Sequence, residues 1–414
     1  MSRPSDRLPV QGANQILPAL WARGLAPPPI TTPEQLMTEA ADKTGLDDFG
    51  DETFREGLSV LCEAQRAEAE LTPLGEVVTH GGLVRALSQR LTAVEWWKRH
   101  PEILDYPIVR PIIVLGGMRS GTTRLQRLLA TDPRLQATRF FEGNTPAPPL
   151  SMRPGDFDRR RLTAQAACVA TDILSPAFRK IHPTSPMAAD EELPMLELSL
   201  SGAQIEAQRR VPSFRAWAER TSQHHAYRFL KPLLQLQGWL RQSDPARPWV
   251  LKTPQYMQDL DALLDVFPDA RIVAIHREPG AQVASSASLV WTLIGALSDT
   301  VTKDWCGQEW LHKTAYRERT AAAVRAANPQ VPAIDVSFAD MNRNALLVMR
   351  QVYAFIGLTW SADVEARMQA WLSASKRRGE HRGHRYSLEE FGLAEADITR
   401  AFASAPAVPV PALS

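Results

Sequence analysis

Cysteine is scarce in this 414-residue chain: Cys62, Cys168 and Cys306 are widely spaced and odd in number. That excludes a disulfide scaffold and a cysteine-based zinc site. A surplus of one charge is also missing, since Lys+Arg 47 against Asp+Glu 46 leaves a formal net charge of +1. Such a chain has no global field for gripping nucleic acid or an anionic membrane, so any anion site must be local. No apolar run approaches the roughly 18–20 residues that span a bilayer. The best candidate, 288–297, reads as a buried helix. The opening MSRPSDRLPV carries no apolar segment of a secretory signal, and a soluble, cytoplasmic protein is expected. What the chain does have is bulk. With 44% hydrophobic and 22% charged residues, it can bury a sizeable core and is not disordered.

The opening segment through Pro29 is rich in turn formers and reads as a wrapping arm. From Pro33 the pattern turns helical, with Thr32 as its cap. Segments 54–70 and 83–99 carry apolar residues at three- and four-residue spacing. The pattern then changes. Ile112-Ile113-Val114-Leu115 is a short β-branched run, as expected of a strand buried on both faces. Segments 249–251 and 271–275 repeat that signature, 332–336 supplies a further candidate strand, and helical stretches separate them. The expected fold is therefore α/β: a three-layer sandwich with a mostly parallel sheet of four or five strands, preceded by a helical N-terminal region.

Between the first strand and the following helix stands Gly116-Gly117-Met118-Arg119-Ser120-Gly121-Thr122-Thr123. Glycines let the backbone approach an anion, and the helix start offers N–H groups and partial positive charge. Gly116 and Gly121 keep the gap of a triphosphate-binding loop, but Thr122 stands where that loop has lysine. Neither 249–251 nor 271–275 is followed directly by the aspartate that helps hold magnesium in such proteins. Both absences count against an ATP-dependent kinase. A second signal follows 271–275: Arg277 at a strand's carboxyl end, with Ser285 eight residues on. Arginine there points into the crevice where parallel sheets bind ligands, and its fork suits a phosphate. Together the two signals describe a nucleotide with an anion at each end.

The loop GGMRSGTT, the segment VLKTP and the segment IVAIHREPGAQVASSASL resemble the three landmarks of sulfotransferases that use 3′-phosphoadenosine 5′-phosphosulfate. The chain is similar to the bacterial members of that P-loop superfamily from about Leu36 to about Leu393. The resemblance implies a helical region at 1–108, a sulfotransferase domain at 109–393 and a tail at 394–414. It implies that Gly117, Arg119, Ser120, Gly121, Thr122 and Thr123 cradle the 5′-phosphosulfate, and that Arg277 and Ser285 clamp the 3′-phosphate. Lys252 matches a lysine that steadies the transferring group, with Arg119 as the second cation. Pro254 stands where cytosolic members place their histidine base. Tyrosylprotein and some bacterial members instead use a glutamate beyond the loop, which nominates Glu142. Glu191 and Glu192 are its main rivals, and Glu197 is a lesser one.

The basic run KRRGEHRGHR resembles loosely a segment that closes over the 3′-phosphate, with Arg378, Arg382 and Arg385 as candidates. The chemistry so read needs no metal, and His381 and His384 lack companions for a metal site. The expected acceptor is a hydroxyl on a lipid or other apolar small molecule, since Phe140, Phe141, Phe178, Met195, Leu196 and Trp291 suggest an apolar pocket. No nucleic-acid partner is expected. A nucleotide-binding protein without turnover is the remaining alternative.

Overall fold

A computed structural model describes residues 7–174, 183–378 and 387–403. Five parallel strands form its sheet: β1 (Ile112–Leu115), β2 (Gln136–Ala137), β3 (Trp249–Leu251), β4 (Arg271–His276) and β5 (Ala333–Ser337). Their order across the sheet is β2-β3-β1-β4-β5. Alternate side chains leave a strand on opposite faces, and here both faces are apolar. Ile113, Leu115, Leu251, Ile272 and Ala274 join one core with Trp96, Leu233, Leu234 and Leu263 from the helices Pro73–Arg99, His224–Leu240 and Leu260–Val266. Ile112, Val114, Val250, Val273 and Ile275 join a second core with Leu125, Val348, Val352 and Met368 from Thr122–Leu129, Ala345–Ile356 and Ala362–Arg377. Helix, sheet and helix are thus stacked as the sequence pattern requires.

The strands at 112–115, 249–251, 271–275 and 332–336 fall where expected, within one residue at their ends. β2 was not legible: two residues carry no periodicity, and only pairing with Trp249 and Val250 makes them a strand. The opening segment needs a correction. Leu8–Ala22 is a helix rather than an irregular arm. Pro9 sits at its first positions, where no N–H is needed, and Pro18 is tolerated inside it. No side chain of this helix is buried, so packing gave no apolar stripe to read. In the expected tail, Glu395–Phe402 forms a further helix with Ile398 buried.

The helices Pro33–Thr44, Phe54–Glu68 and Pro73–Arg99 build a third core with Leu200, Ile205, Val211 and Phe214. Thr32 caps the first as expected, accepting the Gln35 N–H. This group is fastened to the rest at Leu297. The Thr72 N–H and hydroxyl both donate to the Leu297 carbonyl, at 2.9 and 3.2 Å. Gly75 makes that approach possible, since a Cβ there would stand 2.2 Å from the same oxygen. Gly75→Ala is therefore expected to destabilise the chain by about 1–3 kcal/mol, the usual cost of forcing atoms into a packed contact. A urea denaturation midpoint equal to wild type would contradict it.

Candidate active site

The site forms at the carboxyl end of the sheet, where the chain leaves β1 toward β2 on one side and β4 toward β5 on the other. Such a switch point leaves a crevice between adjacent strands. β1 and β4 pair from Ile112↔Arg271 to Leu115↔Ala274, which brings the loop after β1 beside Arg277 after β4. Arg277 Nη1 donates to the Arg119 carbonyl at 2.6 Å. Arg119 Nε in turn donates to the Ser285 hydroxyl at 3.1 Å. Three residues named from two separate segments thus meet in one chain of hydrogen bonds.

This corner is shaped for an anion. Arg119 holds φ +70 and Gly121 φ +94, and a left-handed conformation costs a non-glycine residue about 1–2 kcal/mol. The bond from Arg277 helps hold Arg119 in that conformation. Burial pushes the Arg277 guanidinium down from its usual range, and the neighbouring Arg119 charge pushes it further. It also lies over the ring of Phe338, 4.6 Å away; among the described residues no carboxylate forms an ion pair with it. A Cβ at Gly117 would stand 1.9 Å from Gln282 Nε2, a buried donor with no acceptor. Two crowded cations, an orphaned N–H donor and a helix start at Thr122 are chemically suited to a bound oxyanion.

The second group gathers at the end of β3. Lys252 is wholly buried, and its Nζ lies 3.1 Å from Thr123 Oγ1 and 2.5 Å from Glu191 Oε1. Thr123 stands in the first turn of the loop helix, so Lys252 borders the same cradle. Gln126 and Arg127 of that helix donate to the Asp190 and Ala189 carbonyls, at 3.0 and 3.1 Å. They fasten the Asp-Glu-Glu segment against the loop. Glu192 accepts the Lys252 N–H and the Tyr256 hydroxyl, each at 2.8 Å.

The structure gives Glu142 other partners. It is buried in the short helix Phe140–Asn144, where it accepts the Arg139 N–H at 2.8 Å and pairs with Arg241 through both oxygens. Arg241 lies over Trp249, at the first residue of β3 and so away from its carboxyl end. None of these partners belongs to the loop or to Lys252. Glu197 lies 3.0 Å from Gln204 Nε2 and near Arg85. Arg378 ends the helix Ala362–Arg377; Arg382, Arg385, His381, His384 and Phe178 lie outside the described residues. Met195 and Leu196 belong to the main core and Phe141 is buried under Arg160, whereas Trp291 packs with Met118 of the loop.

Sequence reasoning missed Tyr256, Phe338 and Gln282. Tyr256 stands two residues beyond Pro254, and nothing in its spacing announced a bond to Glu192. Phe338 opens a helix after β5, and only the topology carries it to Arg277. Gln282 lies between Arg277 and Ser285, and nothing in the sequence sets it apart from its helix neighbours.

Burial pushes the Glu192 carboxyl up to about 7, against the opposing pull of Tyr256 and the Lys252 amide. A carboxyl raised in this way holds its proton in the folded chain after the unfolded chain has lost it. Its contribution to stability is complete below the ordinary glutamate value and is lost as pH rises toward 7. Glu192→Gln should remove that decline and raise Tm at pH 8 more than at pH 5. Parallel Tm–pH curves for the two proteins would show that Glu192 does not titrate in this window.

The sulfotransferase family model matches residues 111–362. Sulfotransferase STF1 of Mycobacterium tuberculosis superposes with a TM-score of 0.80 at 29% identity, covering 91% of this chain and 99% of its own. Sulfotransferase STF9 of Mycobacterium avium gives a TM-score of 0.78 at 26% identity, covering 90% and 95%. No curated protein matches the chain. The family match spans the loop, Lys252, Arg277, Ser285 and all five strands, and on that ground the chain belongs to the sulfotransferase family.

Proposed function

We propose that this protein transfers a sulfuryl group from 3′-phosphoadenosine 5′-phosphosulfate to a hydroxyl acceptor. The observation that carries the reading is the meeting of Arg119 with the pair Arg277 and Ser285, which brings the positions proposed for the two ends of the nucleotide together. Arg277 and Ser285 would take the 3′-phosphate. Gly117, Arg119, Ser120, Gly121, Thr122 and Thr123 would take the 5′ end. The nucleotide supplies the activated sulfuryl group and leaves as adenosine 3′,5′-bisphosphate. Charge grows on the leaving phosphate as the bond to sulfur breaks, so fixed cations and N–H donors are what the site must offer. Arg119, Lys252 and the start of helix Thr122–Leu129 meet that need.

The acceptor hydroxyl must lose a proton, and Pro254 cannot take one. The geometry supports Glu191 for this role over Glu142, because Glu191 is partly exposed at the mouth and touches Lys252. Lys252 can turn its ammonium from Glu191 to an anion on the loop, which leaves the carboxylate free to take the acceptor's proton. Met118 and Trp291, with Trp305 and Trp310 behind them, form an apolar wall beside the loop. They support an acceptor that is a lipid or another apolar alcohol.

Two experiments test the reading. Arg277→Ala should weaken adenosine 3′,5′-bisphosphate binding by about 1.5–3 kcal/mol, the range for a charge-assisted bond. Adenosine 5′-phosphosulfate, which has no 3′-phosphate, should lose less, by only what the contact to the Arg119 carbonyl contributes; equal losses would make Arg277 structural. For the base, Glu191→Gln should keep bisphosphate affinity and lower turnover about 10²–10⁴-fold. Glu142→Gln should instead lower Tm, since it leaves Arg241 without a charged partner. Full turnover in Glu191→Gln beside an inactive, well-folded Glu142→Gln would return the role to Glu142.

A further inference from the structure

At the opposite end of the sheet, four arginines line a cleft of about 410 Å³: Arg110, Arg134, Arg247 and Arg271. Arg110 precedes β1, Arg247 precedes β3 and Arg271 opens β4, so adjacent strands deliver them side by side. Arg134 is neutralised by a two-pronged bond to Asp132. The other three differ. Among the described residues, none of their side chains has a carboxylate partner.

Each guanidinium that is held at all is held by a backbone carbonyl, which fixes its position without cancelling its charge. Arg247 Nη2 donates to the Leu135 carbonyl at 2.6 Å, and Arg271 Nη1 to the Phe355 carbonyl at 3.3 Å. Arg247 Nε is buried with no acceptor. Two acids lie nearby, and among the described residues neither forms an ion pair with these guanidinium groups. Asp269 accepts the Arg110 N–H at 2.6 Å, and Asp244, the one acid among the described lining residues, accepts the Ala246 N–H at 3.0 Å. Like charges gathered in this way repel one another unless an anion lies between them. Arg110 also holds φ +43, a backbone conformation that glycine would adopt without strain.

We propose that this cleft is a second anion site, which takes a small phosphate- or sulfate-bearing molecule on Arg110, Arg247 and Arg271. Guanidinium forks match tetrahedral oxyanions bidentately, and the volume suits a phosphorylated molecule rather than a lone ion. The site lies the length of β1 from the catalytic loop, roughly 13 Å for four residues at the usual strand rise. It is separate from the nucleotide cradle and does not depend on the reaction proposed above.

The test is calorimetric titration of the full chain with inorganic pyrophosphate at constant ionic strength. Binding should persist in Arg277→Ala, in which the catalytic loop's own hold on an anion is weakened. The double variant Arg247→Ala/Arg271→Ala should lose at least about tenfold in affinity, the size of one charge-assisted bond. Arg110→Gly guards against a folding artefact. It keeps the N–H that Asp269 accepts and relieves the left-handed backbone, so Tm should hold or rise while pyrophosphate binding weakens several-fold. Inorganic sulfate as a second probe tells the source: comparable affinity identifies a site for one tetrahedral group, and much weaker affinity a site for a diphosphate. Unchanged affinity in Arg110→Gly and the double variant would overturn the proposal. So would a loss confined to Arg277→Ala, which would put the pyrophosphate on the catalytic loop.

Discussion

The hydrogen bond from Arg277 to the Arg119 carbonyl is the joint on which the anion cradle depends. It spans 158 positions of sequence, yet the parallel register of β1 and β4 makes it short-range in space. It holds a strained backbone in place and brings two guanidinium groups together against their own repulsion. Neither effect favours folding. A fold that keeps both carries a site strained before its ligand arrives, as functional positions often are. The surrounding sheet, apolar on both faces, supplies the stability that tolerates them.

Lys252 solves a different problem. A fully buried ammonium is costly unless it is paired and hydrogen-bonded. Glu191 and Thr123 together meet that requirement, while Glu192 holds the lysine's own backbone. The two adjacent glutamates therefore have distinct tasks. One meets the side chain at the mouth, and the other is sealed beneath it with Tyr256. Glu142, also buried, is neutralised by an arginine from another helix. Burial does not by itself distinguish a reactive carboxylate from a structural one; the partner does.

Much of this was legible in the sequence because the signals were local. Three of the five strands, β1, β3 and β4, carry continuous apolar runs, and runs of that kind need no tertiary context. The loop and the Arg277–Ser285 pair are likewise short segments with fixed spacing. What stayed hidden was set by contacts between distant segments. β2 exists through its neighbour, Phe338 reaches Arg277 through a strand crossover, and the Arg241–Glu142 pair joins residues 99 positions apart. The opening helix is hidden for another reason: its prolines count as turn formers, and only position within a helix tells a tolerated proline from a disruptive one.

The staple at Leu297 has a mechanical consequence. Leu297 lies just beyond the helix Pro279–Ile294, whose earlier turns carry Gln282 and Ser285. The same rod is thus gripped at one end by the anion cradle and at the other by Thr72, Gly75 and the bridge from Leu71 to Ser298. A rod fixed at both ends cannot slide along its axis without breaking one attachment. The N-terminal helices therefore set the position from which the Ser285 hydroxyl is presented, although none of them supplies a residue to the cradle.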